Sequence, residues 1–330
     1  MAPAPTDHPT RHRPAVRLIA VALLLVLAAA CGTSDTSATD AGTSRPTTPP
    51  DAPTGPSGAT PPSVTCRDQS TGPETFAYAE RAGVDPNLTS LDVYLPAGCD
   101  PVPALVWVHG GGWRRGDKAL ASVDGKARLA DQLGVALVAV NYRLSADGAD
   151  VVWPDHGDDV AASLAWLRSN GPGIGIDPDR LALIGHSAGA HLVAVAGTDP
   201  TLLTRNGADP TAVRCVIALD SASYTLAADN PLHAHAFGTD PEVLAGASPL
   251  TLVERNGPPG ADFLVVAQGG RLRLASQRAF VDAITAAGGS ATFLDANPYD
   301  HNEMSGAVGD DDDTTVTPAL RNLLIPCLTR

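Results

Sequence analysis

Gly185-His186-Ser187-Ala188-Gly189 decides how the rest of the chain is read. The apolar run Leu181-Ala182-Leu183-Ile184 leads into it. Ala188 to Thr198 follow it, small and apolar apart from one histidine, as a buried helix reads. In a strand, sharp turn, helix context, G-x-S-x-G strains the serine backbone and stands its Oγ clear at the C-terminal edge of a sheet. Gly185 and Gly189 are small because such a turn packs tightly against its neighbours. The pentapeptide alone is a moderate signal, so a second motif has to agree with it.

His109-Gly110-Gly111-Gly112-Trp113 is that motif, and it follows the apolar run Ala104-Leu105-Val106-Trp107-Val108. Glycines directly after a strand leave backbone N–H groups facing a ligand, and donors aimed where negative charge develops form an oxyanion hole. Ser187 lies far enough beyond His109 for a helix, a strand and another helix between them. Together the motifs resemble the α/β-hydrolase superfamily, in particular the esterase/lipase branch with an HGGG-type oxyanion loop. Asn141-Tyr142-Arg143-Leu144 and Gly175-Ile176-Asp177-Pro178-Asp179-Arg180 are similar to further stretches of that branch. The resemblance covers roughly residue 75 to the C-terminus.

The order of elements fits this fold. Residues 104–108, 135–140 and 181–185 read as buried strands, because apolar residues run on without alternation. Residues 120–133 and 155–169 read as helices, the second with Val160, Leu164 and Leu167 at helical spacing. Further strands are expected at 213–219, 263–267 and 291–294, with a helix at 276–287. Alternation of strand and helix implies a mainly parallel sheet with right-handed crossovers and helices on both faces. Residues 75–82 and 88–95 read as an antiparallel hairpin before it. Thr317-Pro318 reads as an N-cap with proline at N1, opening a final helix. Residues 221–260 carry weak periodicity and several prolines, and are expected to shape the substrate pocket.

Ser187 is the expected nucleophile. His301, in Asp300-His301-Asn302-Glu303 after the last strand, stands where this fold places its general base. His186 lies inside the elbow, where its side chain is expected to point away from the serine pocket. His109 is expected to hold the oxyanion loop, His156 and His191 to pack or lie on the surface, and His233 or His235 to line the pocket. By the resemblance, the acid should follow the strand that ends near residue 267, but Leu272 occupies that position. A known variant of the fold carries the acid one strand earlier, and Ala218-Leu219-Asp220-Ser221-Ala222 is similar to it. Asp220 is therefore the first candidate, with Asp295, Asp300 and Glu303 as alternatives. Backbone N–H groups of Gly111, Gly112 and Ala188 are expected to hold the oxyanion.

This implies acyl transfer from a small carboxylic ester, short-chain or compact by the resemblance, without a metal or organic cofactor. A peptidase or amidase on the same fold is the alternative enzyme. A surface binding protein that lost activity is the alternative outside enzymes, supported mainly by Leu272. The four consecutive acids at 310–313 lack the spacing of a recognised calcium loop and read as a solvated turn.

The N-terminal stretch reads as targeting sequence. Arg11, Arg13 and Arg17 precede an apolar run over 18–30, too short for a comfortable membrane span. Leu27-Ala28-Ala29-Ala30-Cys31 resembles a bacterial lipobox, in which Cys31 is lipidated and contacts the membrane; an ordinary signal cut near the alanines is the alternative. Residues 31–62, rich in Thr, Ser and Pro, are expected to be a disordered tether, and 63–330 the catalytic domain. A net charge of −14 argues against nucleic acid as a partner. In an oxidising compartment Cys66, Cys99, Cys215 and Cys327 suggest two disulfides. Cys66 and Cys99 flank the hairpin at its open end, and Cys215 begins a strand while Cys327 ends the last helix. The expected pairs are therefore Cys66–Cys99 and Cys215–Cys327, with buried free thiols as the alternative.

Overall fold

A computed structural model describes residues 65–120 and 122–329. The basic leader, Cys31 and the segment to residue 62 lie outside the described residues. In chain order the strands are β1 (Cys66–Arg67), β2 (Thr71–Ala77), β3 (Ser90–Leu95), β4 (Gly98–Cys99), β5 (Val102–Val108), β6 (Ala136–Val140), β7 (Ile176–His186), β8 (Val213–Leu219), β9 (Asp262–Ala267) and β10 (Ala291–Asp295). The helices are α1 (Val123–Leu133), α2 (Asp155–Asn170), α3 (Ala188–Thr198), α4 (Pro200–Arg205), α5 (Pro231–Phe237), α6 (Pro241–Gly246), α7 (Pro249–Asn256), α8 (Arg271–Ala286), α9 (Glu303–Ala307) and α10 (Val316–Leu328).

Eight strands form one sheet in the order β10-β9-β8-β7-β5-β6-β3-β2. From β6 to β10 every pairing is parallel, while β3 runs antiparallel to β6 and β2 to β3. Side chains of a strand alternate between faces. Ala104, Val106 and Val108 of β5 accordingly enter one apolar core with α2, α3 and α8, and Leu105 and Trp107 enter the other with α1 and α10. Both faces are covered, which is why β5, β6 and the end of β7 carry near-continuous apolar runs.

The expected hairpin is present, but its first strand ends at Ala77 rather than 82, and Pro86–Thr89 turn as a short 3-10 helix before β3. Asp85 accepts the Asn87 N–H (2.9 Å), an aspartate turn that favours helix-like geometry over extension. Both expected disulfides form: Cys66–Cys99 joins paired positions of β1 and β4, and Cys215–Cys327 ties the start of β8 to α10.

The cap of the last helix differs from expectation. Asp313 accepts N–H groups of Thr315 (2.9 Å), Val316 (3.2 Å) and Thr317, so this carboxylate satisfies the orphan donors of α10. Thr317 lies inside the first turn, and its hydroxyl donates to the Ala307 carbonyl (2.7 Å). One of the four acids at 310–313 is thereby a helix cap.

Candidate active site

Ser187 stands between β7 and α3 at φ 56°, ψ −116°. Its N–H donates to the Leu219 carbonyl (2.9 Å), which pins the turn to β8. A Cβ on Gly185 would run into the Gly189 carbonyl, and one on Gly189 into the carbonyls of Val108 and His109. The two glycines let helix and strand meet closely enough to force the serine into this conformation.

The oxyanion loop lies beside it. Gly111 and Gly112 adopt φ 117° and 63°, and Gly111 receives N–H groups from Arg114 (3.3 Å) and Arg115 (3.2 Å) on its carbonyl. The N–H groups of Gly111 and Gly112 donate to no protein acceptor among the described residues. A Cβ at Gly110 would come within 3.1 Å of the Ser187 Cβ, so the loop passes directly over Ser187. His109 holds the loop as expected. It is buried, stacks on Tyr142 (4.5 Å between centroids) and donates Nδ1–H to the Gly110 carbonyl (2.8 Å). Ala188 is the first residue of α3, where backbone N–H groups lack helical partners.

His301 and Ser187 line one cleft of about 930 Å³, together with Gly111 and Gly112. Asp220, directly after β8, accepts Nδ1–H of His301 at 2.6 Å. Its carboxylate is wholly buried and also receives Gln268 Nε2 (2.8 Å), Arg273 Nε (3.1 Å) and Gln277 Nε2 (3.2 Å). Burial pushes the Asp220 carboxyl up, but the His301 hydrogen bond, with Gln268 and Arg273, holds it well below the usual carboxylate range. Asp220 is therefore ionised at neutral pH, and it fixes the His301 tautomer with Nε2 left to act on a hydroxyl.

None of the three rival acids hydrogen-bonds the imidazole. Asp295 accepts from Asn297 N and Nδ2 (3.1 and 2.8 Å), while Asp300 accepts the N–H groups of Asn302 and Glu303 (both 2.8 Å). Glu303 turns back to the Asp300 N–H (2.8 Å). Leu272 is 89% exposed in the first turn of α8, away from the histidine.

His186 departs from expectation. Its ring packs on His301 (4.5 Å between centroids), and Nε2–H donates to the His301 carbonyl (2.6 Å). The histidine loop comes up against the elbow, and this contact overrides the local direction expected within the turn. His156 and His191 are buried and pack with Phe237, and His233 reaches a smaller pocket at Ser187. His235 instead donates to the Ser145 carbonyl (2.6 Å).

Trp113, Ser187 and Asp220 are the non-glycine residues with positive φ among those described. They follow the glycine loop, form the elbow and carry the carboxylate. Backbone strain is thus concentrated around one site, where the surrounding structure over-determines it. Gln268, Arg273 and Gln277 escaped the sequence reading. Their signal was the i, i+4 spacing of Arg273 and Gln277, which shares one helix face.

Sheet order, strained serine turn and glycine loop define an α/β-hydrolase fold. The family described as BD-FAE matches residues 91–269, more than half of the chain, and the chain belongs to it. Esterase LipC of Mycobacterium tuberculosis is 32% identical over 206 residues, 56% of this chain and 49% of that protein. Esterase LipQ of the same organism is 30% identical over 216 residues, 61% of this chain and 50% of that protein. The chain thus spans about half the length of these relatives. A solved truncated carbohydrate esterase from gut microbiota shares the fold at a TM-score of 0.64 and 21% identity, covering 80% of this chain and 98% of that one.

Proposed function

We propose that the protein is a serine hydrolase that cleaves compact carboxylic esters through an acyl-enzyme on Ser187. His301 Nε2 takes the Ser187 proton as Oγ attacks the ester carbonyl. The N–H groups of Gly111, Gly112 and Ala188 hold the oxyanion. His301 then protonates the departing alcohol, and water repeats the cycle on the acyl-enzyme with the same proton transfers. Asp220 orients the imidazole and stabilises its cation.

The observation that carries the reading is the 2.6 Å bond from His301 to a buried, ionised Asp220, on a histidine that lines the same cleft as Ser187. A scaffold without activity would not need that carboxylate held by four side chains. The esterase names of the relatives support the same reaction class. A fluorophosphonate probe and a short p-nitrophenyl ester test it. Wild type should be labelled and turn over; Ser187→Ala should do neither while keeping its circular dichroism. Turnover at the wild-type rate in that variant overturns the assignment.

Export as a lipid-anchored protein is part of the proposal, supported by the basic leader, the short apolar run and Ala28-Ala29-Ala30-Cys31. Mass spectrometry of the mature N-terminus should find a diacylated Cys31. An unmodified N-terminus elsewhere contradicts it.

A further inference from the structure

Two spaces meet at the reacting serine. Ser187, His301, Gly112 and Leu232 line both the 930 Å³ cleft and a second pocket of about 220 Å³. The second is further lined by Asp220, Ser221, Asn230 and Arg273. At roughly 30 Å³ for each water-sized volume, it admits only a short substituent.

Its lining is rich in donors that the protein leaves unused. Arg273 spends Nε on Asp220 Oδ1 (3.1 Å) and Nη2 on the Asp220 carbonyl (3.1 Å), and Nη1 has no protein partner among the described residues. Asn230 Oδ1 accepts the N–H groups of Leu232 (3.0 Å) and His233 (3.4 Å), which caps α5, and its NH₂ has no protein partner among the described residues. Ser221 Oγ accepts from the Ser223 N–H (3.2 Å) and keeps its own proton to donate. The one carboxylate in the lining, Asp220, is already committed to His301, Gln268, Arg273 and Gln277.

We propose that the small pocket takes the acyl arm of the ester and selects a short acyl group ending in a carboxylate. The inference rests on the esterase reading above and names the substrate class for it. The leaving alcohol must depart before water attacks, so it belongs in the large cleft, while the acyl group stays on Ser187 in the small pocket. An alkyl chain there would cover the donors of Arg273, Asn230 and Ser221 without giving them acceptors, which costs binding energy. A carboxylate satisfies them with charge-assisted bonds. Its charge also lies near His301, whose imidazolium forms as the serine attacks.

Ethanol release from monoethyl succinate and from ethyl pentanoate tests this, because the leaving alcohol is the same and only the acyl terminus differs. Wild type should favour monoethyl succinate in kcat/KM by about tenfold or more, the discrimination expected of one charge-assisted contact. Arg273→Gln should bring the ratio close to one. Loss of the Asp220 contact lowers both rates, so the ratio isolates recognition. Asn230→Asp still caps α5 but places a negative charge in the pocket. It should lower monoethyl succinate turnover by about tenfold more than it lowers ethyl pentanoate turnover, since a neutral chain meets no repulsion. A wild-type ratio of one or less overturns the proposal, as does a ratio unchanged in both variants. Failure of the hydrolase reading looks different: no ester is cleaved and the fluorophosphonate probe does not label Ser187.

Discussion

At the scale of the residue, the acid is where local pattern and three-dimensional contact part. The usual position holds Leu272, 89% exposed, and the carboxylate comes from Asp220 at the end of β8. Asp220→Asn removes the charge that supports the imidazolium and favours the wrong tautomer. It should lower kcat by about 10²–10⁴-fold, by comparison with the chymotrypsin-type triad. Asp295→Asn and Asp300→Asn should each cost roughly tenfold or less, because their carboxylates serve only local turns. The check is kcat/KM of the three variants on one ester, with folding verified by circular dichroism. Near-normal turnover in the Asp220 variant, beside collapse in either of the others, would move the acid to the histidine loop.

At the scale of the element, α1 is tied to the histidine loop by a buried amine. Lys126 of α1 is fully buried, and its Nζ donates to the carbonyls of Ser122 (2.9 Å) and Ser305 (2.8 Å) and lies 4.2 Å over the Trp107 ring. No carboxylate pairs with it among the described residues, and burial pushes the ammonium down to about 7. Ser305 belongs to α9, which begins two residues after His301, so the tie helps to set where the imidazole stands. Lys126→Met keeps the apolar stem but leaves the Ser305 carbonyl without its donor, while the Ser122 carbonyl keeps its helical bond as N-cap of α1. It should destabilise by ~1–3 kcal/mol in urea unfolding. Misplacement of the histidine should also lower kcat more than it raises KM, by roughly tenfold or more. Unchanged kcat in a folded variant would reduce Lys126 to a packing residue. The two disulfides act on elements in another way: they join β1 to β4 and β8 to α10, which limits the unfolded ensemble.

At the scale of the whole molecule, five buried histidines set the acid limit of stability. Burial pushes His156 down to about 3, and His186 and His191 each to about 4; it also lowers His109 and His233. In the unfolded chain these rings titrate near 6.5. Their folded values are depressed, so the unfolded state binds more protons as pH falls. The stability that comes from keeping them neutral is complete above about 6.5 and is lost progressively toward about 4 for His186 and His191 and about 3 for His156. The melting temperature should therefore fall steeply from pH 6.5 to 4.5 in scanning calorimetry. A flat profile over that interval would mean that the rings are hydrated enough to protonate in place.

The sequence by itself determined the fold class, the strained turn that carries Ser187, the glycine loop, the place of His301 after the last strand and even both disulfide pairs. Each rests on a contiguous signal or on order along the chain: G-x-S-x-G after an apolar run, glycines after a strand, a histidine after the last strand, cysteines at the ends of elements. Such signals survive because strain, close approach and burial on two sheet faces restrict residue type locally. Only the tertiary structure decided which carboxylate meets His301, that Gln268, Arg273 and Gln277 hold it, and that His186 and Lys126 brace the same loop. Those contacts join residues far apart in the chain, 81 positions for Asp220 and His301 and 179 for Lys126 and Ser305. An aspartate, an arginine or a lysine reads as solvent-exposed in its own neighbourhood. Its role appears only when β8, α8 and the histidine loop converge to bury Asp220, and when α1 meets α9 to bury Lys126.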